Sequence, residues 1–253
     1  MKVTFLGTGT SQGVPVIGCT CEVCQSLDFR DKRLRTSILI EIENQTFVVD
    51  TGPDFRQQML REQVKRIDAV LFTHAHRDHT AGLDDVRAYN FMQHMDMPVY
   101  GTGAVLQQLR VEYAYAFAKE YYPGIPRLTL NEIDHRDFSV NGISVIPLPV
   151  MHLQLPVLGF RFKNFSYITD ANFIPDETLE KLKGTDVLVL NALQRESHIS
   201  HFNLEEAIRM VEKIKPKRTY FTHISHKLGL HSDVSDELPE WVFLAHDGLQ
   251  ITL

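Results

Sequence analysis

The chain has 253 residues, with 26 Lys and Arg against 32 Asp and Glu, giving a formal net charge of -6. A chain of this size can bury enough surface to fold without disulfides, and its acidic balance argues against a broad nucleic-acid footprint, which needs clustered Lys and Arg. No apolar run approaches the roughly 20 residues of a membrane helix. The opening Met1-Lys2-Val3-Thr4-Phe5-Leu6-Gly7 shows no signal-peptide pattern, so a cytoplasmic location is expected.

In chain order, β-rich runs come first, at Val3 to Leu6, Ser37 to Ile42 and Thr46 to Val49. Asn44-Gln45 reads as the hairpin turn between the last two. Asp68 to Phe72 is a further apolar strand, and it ends at a histidine cluster. From Ala104 to Tyr121 the residues Val105, Leu109, Tyr113 and Phe117 recur every four positions, which predicts a helix closed by Pro123, Gly124 and Pro126. Strands follow at 128–133, 143–148, 158–162 and 165–168, then a short helix at 176–182 and a buried strand at 187–190. Asn203 is placed to cap a helix, with Glu206 in capping-box position. The last strands are expected at 219–221 and 248–253. No repeat, low-complexity tract or linker interrupts the chain, so residues 1–253 are expected to form one domain, two packed sheets with helices outside.

The chemistry concentrates in His74-Ala75-His76-Arg77-Asp78-His79, four potential ligands in six residues directly after an apolar strand. Positions 74 and 76 do not share a helix face, so a tight loop at a strand end must turn these side chains toward one cavity. Neutral imidazole suits zinc, iron or manganese, and a carboxylate hardens the site toward ions that activate water. A second cluster, Cys19, Cys21 and Cys24, is an odd number of thiols in one short loop. That is a poor disulfide framework, and a metal site or a redox-active thiol loop fits it better. The Gly-rich stretch Gly7 to Pro15 lacks the Lys-Ser/Thr ending of a nucleotide phosphate loop. His94, His135, His231 and His246 have no motif around them and are expected to be solvated.

The histidine segment resembles the H-x-H-x-D-H motif of the metallo-β-lactamase superfamily, whose fold is an α/β (α+β) four-layer αββα sandwich. The rest of the pattern follows in order. Asp50 resembles the acidic residue that braces the metal loop, His152 the third histidine of the first site, Asp170 the bridging carboxylate and His223 the final ligand. The resemblance implies one ion on His74, His76 and His152, another on Asp78, His79 and His223, and Asp170 shared. Two divalent ions, zinc or manganese, would then bridge an attacking hydroxide. With no cysteine beyond position 24, an all-His/Asp site matches hydrolases of phosphodiesters and thioesters rather than antibiotics.

The N-terminal segment narrows the subgroup. Gly7 to Pro15 followed by Cys19, Cys21 and Cys24 is similar to the start of PhnP-type phosphodiesterases of carbon–phosphorus lyase pathways. In that group three such cysteines and a histidine, here His226, hold a structural zinc. A histidine just upstream of the capped helix acts there as general acid, and His201 matches it. His198 beside it reads as a surface residue or substrate contact. The resemblance implies a small, cyclic phosphodiester as substrate, such as a ribosyl or nucleoside cyclic phosphate. The alternatives are tRNA 3′-end processing, thioester hydrolysis and a non-catalytic metal or redox-sensing module. The aromatic stretch between Asp84 and Tyr122 departs from the better-known members and is expected to shape the pocket or to make a homodimer contact.

Overall fold

The computed structural model describes residues 1–118 and 123–253. Two seven-stranded sheets face each other. The first runs β14 (Gln250–Thr252), β1 (Lys2–Gly7), β2 (Ser37–Ile42), β3 (Gln45–Val49), β4 (Ala69–Leu71), β5 (Met97–Gly101) and β6 (Leu128–Glu132). The second runs β13 (Val242–Leu244), β12 (Arg218–Thr222), β11 (Val187–Asn191), β10 (Phe165–Tyr167), β9 (Leu155–Phe162), β8 (Ile143–His152) and β7 (Phe138–Val140). The α-helices of the described residues are α1 (Glu22–Gln25), α2 (Phe55–Arg61), α3 (Arg77–Thr80), α4 (Arg87–Gln93), α5 (Gly103–Glu112), α6 (Asp176–Leu182), α7 (Leu204–Ile214) and α8 (His231–Glu237).

Strand alternation builds three apolar layers, because successive side chains point to opposite faces. Val3 and Phe5 of β1, Ile38 and Ile40 of β2, Phe47 and Val49 of β3, and Val187 and Val189 of β11 share the core between the sheets. Leu6, Leu39 and Val48 point the other way and pack with Phe55 and Met59 of α2 and Val105 and Leu109 of α5. Leu188 and Leu190 likewise pack with Leu204, Ala207 and Val211 of α7. The result is an αββα sandwich. Phe47 and Phe162 stack across its middle with ring centroids 6.1 Å apart, and truncating such a buried ring to Ala typically costs about 3–5 kcal/mol.

The capping box at Asn203 is present, with its side chain accepting from the Glu206 N–H at 2.8 Å. Two expectations are corrected. The hairpin turn falls at Glu43-Asn44, both at positive φ, one residue earlier than expected. The helix expected over 104–121 stops at Glu112, and a 3-10 turn follows over Ala114–Phe117, with Tyr121 outside the described residues. Tyr113 breaks it, because its buried hydroxyl donates to Thr80 O at 2.7 Å and its backbone leaves the helical region. The aromatic stretch after Asp84 supplies β5, an inner strand next to the β6 edge, and the core residues Tyr89 and Tyr113.

Candidate metal centre

The strands β3 to β6 are parallel, as are β10 to β13, so their C-terminal ends collect along one rim of the sandwich. Asp50 follows β3, the His74–His79 loop follows β4, Asp170 lies just beyond β10, and His223 follows β12. His152 closes β8 at the same rim. Asp50, Asp170 and His223 all have positive φ, at 65°, 60° and 55°. This left-handed backbone is uncommon for residues other than glycine, and Asp and His tolerate it better than most. It turns each chain sharply as it leaves its strand. Gly52 is required here, because a Cβ on it would meet Asp78 O at 2.2 Å.

Outer hydrogen bonds orient the imidazoles. Asp50 Oδ2 lies 2.7 Å from His79 Nδ1, and the carboxylate also accepts from Thr73 N at 2.9 Å and Thr73 Oγ1 at 2.8 Å. His152 Nδ1 lies 2.8 Å from Ser200 O. Pinning one ring nitrogen in this way leaves the other aimed inward. Asn191 fixes the Asp170 loop by bonding both the N–H and the C=O of Ala171, at 2.7 and 2.9 Å.

The inward atoms form two groups, His74, His76, His152 and Asp170, and Asp78, His79, Asp170 and His223, each with its donor atoms within 4.8 Å of one another. Asp170 belongs to both. Its carboxylate lies 3.7 Å from His74 Nε2, 3.3 Å from His79 Nε2 and 3.2 Å from His223 Nε2. Zinc bonds of about 2.0–2.1 Å set tetrahedral donors roughly 3.3 Å apart, so these separations suit a cation. His79 Nε2 and both ring nitrogens of His223 are buried without a hydrogen-bond partner, and such orphaned groups are costly unless an ion takes them up. Burial opposes charge on His223, yet Asp170 and Asp78 outweigh it and push the imidazole up to about 9. His79 is raised by Asp170, Asp50 and Asp78 against the same burial. The carboxylates therefore demand positive charge, which a divalent cation supplies without protons. His76 is exposed and leaves one side of the cluster open.

His201 joins this cluster. Its Nε2 lies 3.4 Å from Asp170 Oδ2, and its ring centroid is 4.5 Å from that of His152 and 4.8 Å from that of His223. Burial lowers its pKa to about 4, with Asp170 opposing, so it departs from the ordinary histidine value near neutrality. His198 is more than a bystander, because its Nδ1 lies 3.2 Å from His201 Nδ1.

The cysteines meet a different partner. Cys19, Cys21 and Cys24 place their sulfurs 3.3, 3.3 and 3.6 Å from the single Nδ1 of His226. One ring nitrogen cannot satisfy three sulfurs, whereas one zinc ion can bind all four atoms. The thiols are free, and the Cys24 N–H and His226 draw Cys21 down to about 6 while burial pushes Cys24 up to about 11. Thr10 N donates to Ile224 O at 3.1 Å and Ile224 N to Thr8 O at 2.8 Å, which brings the cysteine loop beside the segment carrying His223 and His226.

Residues 45–224 match the family model of the β-lactamase superfamily domain. The chain belongs to the metallo-β-lactamase superfamily. A solved structure described as a new diphosphatase from the PhnP family is 40% identical with a TM-score of 0.93, covering 100% of this chain and 97% of its own. An octanoyltransferase of Porphyromonas gingivalis is 40% identical over 253 residues, 99% of this chain but 51% of that protein, so the chain spans about half the length of this relative. The short-form human tRNase Z matches at 19% identity and a TM-score of 0.72, covering 100% of this chain and 99% of its own, which speaks for the fold alone. The chain is thus a metallo-β-lactamase-fold, metal-dependent hydrolase resembling PhnP, and divalent metal ions follow from that fold.

Within this metallo-β-lactamase fold, no motif marks Thr73, Asn172, Asn191 or Ser200, which hold the ligand-bearing loops through hydrogen bonds between side chain and backbone. His231, expected to be solvated, is buried instead, with its Nδ1 3.1 Å from Arg33 Nη2. His94 and His135 are exposed as expected, and His246 is half-buried. Among the described residues no helix is long and apolar enough to cross a membrane.

Proposed function

We propose that this hydrolase is a phosphodiesterase with two divalent ions at the His/Asp cluster, one on His74, His76 and His152 and one on Asp78, His79 and His223, with Asp170 serving both. The observation that carries the reading is the shared Asp170 carboxylate with His201 Nε2 only 3.4 Å away. When bound, the ions activate water and neutralise charge on the phosphoryl oxygens. The remaining work falls to the chain. Asp50 and Ser200 hold His79 and His152 in place, while Asp78 and Asp170 set the charge of the cavity. His201 is positioned to donate a proton to the leaving oxygen. An anionic phosphoryl group beside it raises the imidazole from its buried value toward the working range.

A small or cyclic phosphodiester is the preferred substrate class. The PhnP-family relative described as a diphosphatase supports a second reading, a phosphoanhydride on the same site. The structural zinc on Cys19, Cys21, Cys24 and His226 belongs to the same proposal. The choice of zinc or manganese at the His/Asp cluster turns on availability as much as on the ligands. The test is a substrate screen on protein of measured metal content, with bis-p-nitrophenyl phosphate, a nucleoside cyclic phosphate, a diphosphate diester, pre-tRNA and an octanoyl thioester. Turnover confined to the phosphorus esters supports the reading. Faster turnover of the thioester or pre-tRNA overturns it.

A further inference from the structure

Three backbone segments meet beside the cluster, and Asn172 ties them together. Its Oδ1 accepts from Leu153 N at 2.7 Å and its Nδ2 donates to Ile199 O at 3.2 Å. Met151 N donates to Phe173 O, and Asn172 N donates to Met151 O, both at 2.9 Å. The same segments carry His152 and His201, whose ring centroids are 4.5 Å apart. The site and this rim are therefore continuous.

The rim is apolar where a loop surface is ordinarily polar. Leu153, Phe173 and Ile199 are 52%, 57% and 75% exposed. Residues 151–155, 171–174 and 197–202 contain no Lys, Arg, Asp or Glu. Apart from the histidines that face the cluster, these segments offer no charged side chain to a second phosphate or carboxylate.

Leu153 is also held in a costly backbone. It is the first residue of the two-residue β8–β9 loop, with φ at 57°, a position that hairpins ordinarily give to glycine. Among the described residues it is the one apolar side chain at positive φ outside glycine. Bulky side chains at such φ values persist where the surroundings hold them, often at functional sites.

We propose that Leu153, Phe173 and Ile199 bind the uncharged ester group of the substrate through its apolar surface and so determine specificity. The inference takes its setting from the phosphodiesterase reading but is tested by binding. Four phosphate monoesters serve as competitive inhibitors of bis-p-nitrophenyl phosphate hydrolysis. AMP against ribose 5-phosphate isolates the base, and hexyl phosphate against methyl phosphate isolates the chain. At least one of the apolar members binds roughly tenfold tighter than its bare counterpart, within reach of a stacked base or a half-buried chain. A gain for AMP alone assigns a nucleobase, and a gain for hexyl phosphate alone assigns an alkyl chain. The double variant Phe173→Ser, Ile199→Ser removes that gain, and its fold survives because both side chains are exposed. Affinities equal within about twofold in the wild type, or a gain that persists in the double variant, overturn the proposal. Calorimetric binding of the same monoesters stands even if no phosphodiester is hydrolysed, which separates this failure from that of the phosphodiesterase reading.

Discussion

The His/Asp cluster and the cysteine cluster lie at opposite ends of one short loop, His223 to His226, and are built on opposite principles. The first gathers donors from the ends of four strands, shares Asp170 between two groups and leaves His76 exposed on one side. The second aims three sulfurs at one ring nitrogen and is packed by Val14, Val23 and Leu230. Hard, anionic and open suits an ion that must meet water and substrate, whereas soft and closed suits zinc held for structure. Strand ends can offer a site with an open side because the sandwich already holds them. A loop without a sheet beneath it has more to gain from an ion that ties its ends together.

The largest separation between the two clusters is expected from Asp170→Ala. Turnover falls to background and the His/Asp ions are lost, while the melting temperature of the zinc-loaded loop changes little. Elemental analysis with two ions retained at that cluster, or normal turnover, would break the contrast. His201→Ala comes next. General acid catalysis is typically worth about 10²–10⁴-fold, so the loss on a cyclic ribose phosphodiester falls in that range. Bis-p-nitrophenyl phosphate, whose leaving group needs no proton, loses far less, and equal losses on the two substrates exclude the role.

Cys21→Ser tests the other end of the loop. One zinc per chain should leave, and the melting temperature should fall by roughly 5–15 °C, since each kcal/mol is worth about 2–4 °C at this size. The ions of the His/Asp cluster stay, so a variant with unchanged zinc content and melting point defeats the structural-zinc assignment.

A smaller effect concerns His231, which sits behind the cysteine loop. Burial and the Arg33 guanidinium lower its pKa to about 4, below the unfolded value of about 6.5. Between these values the unfolded chain binds a proton that the native chain refuses. Stability is therefore full above pH 6.5 and falls as pH drops toward 4, by about 3 kcal/mol. His231→Asn, which keeps an acceptor for Arg33, should remove that part of the pH dependence in urea melts of zinc-stripped protein. Identical slopes for the two proteins would show that His231 titrates normally. The smallest effect is expected for His198→Ala, less than about tenfold in turnover, acting through His201 and shifting its pH profile.

Much of the site was legible because it is local. His74, His76, Asp78 and His79 come together within one loop, and the strand before them ends where the apolar run ends. Asp170, His152 and His223 were legible only through the family pattern, since nothing local marks an isolated histidine as facing a cavity. What remained hidden was backbone conformation and long-range contact. The left-handed φ at Asp50, Asp170 and His223 leaves no compositional trace, and neither does the tie from Asn172 to two distant segments. The four-residue spacing of Val105, Leu109, Tyr113 and Phe117 predicts one helix, but Tyr113 serves the metal loop through Thr80 and ends it early. Pro98 and Gly101 disguise β5, which is paired on both sides all the same, with β4 and β6. His231 looked solvated because its partner Arg33 lies 198 positions away.

Metal titration of chelator-stripped protein bears most directly on the dinuclear assignment. Hydrolysis of bis-p-nitrophenyl phosphate is followed as zinc or manganese is added to the Cys21→Ser variant, which has only the His/Asp cluster to fill. Turnover is expected to start at background and to level off at two equivalents bound per chain, with Asp170→Ala inactive at every point. Turnover that survives stripping, or that is complete at one equivalent, contradicts a two-ion hydrolase.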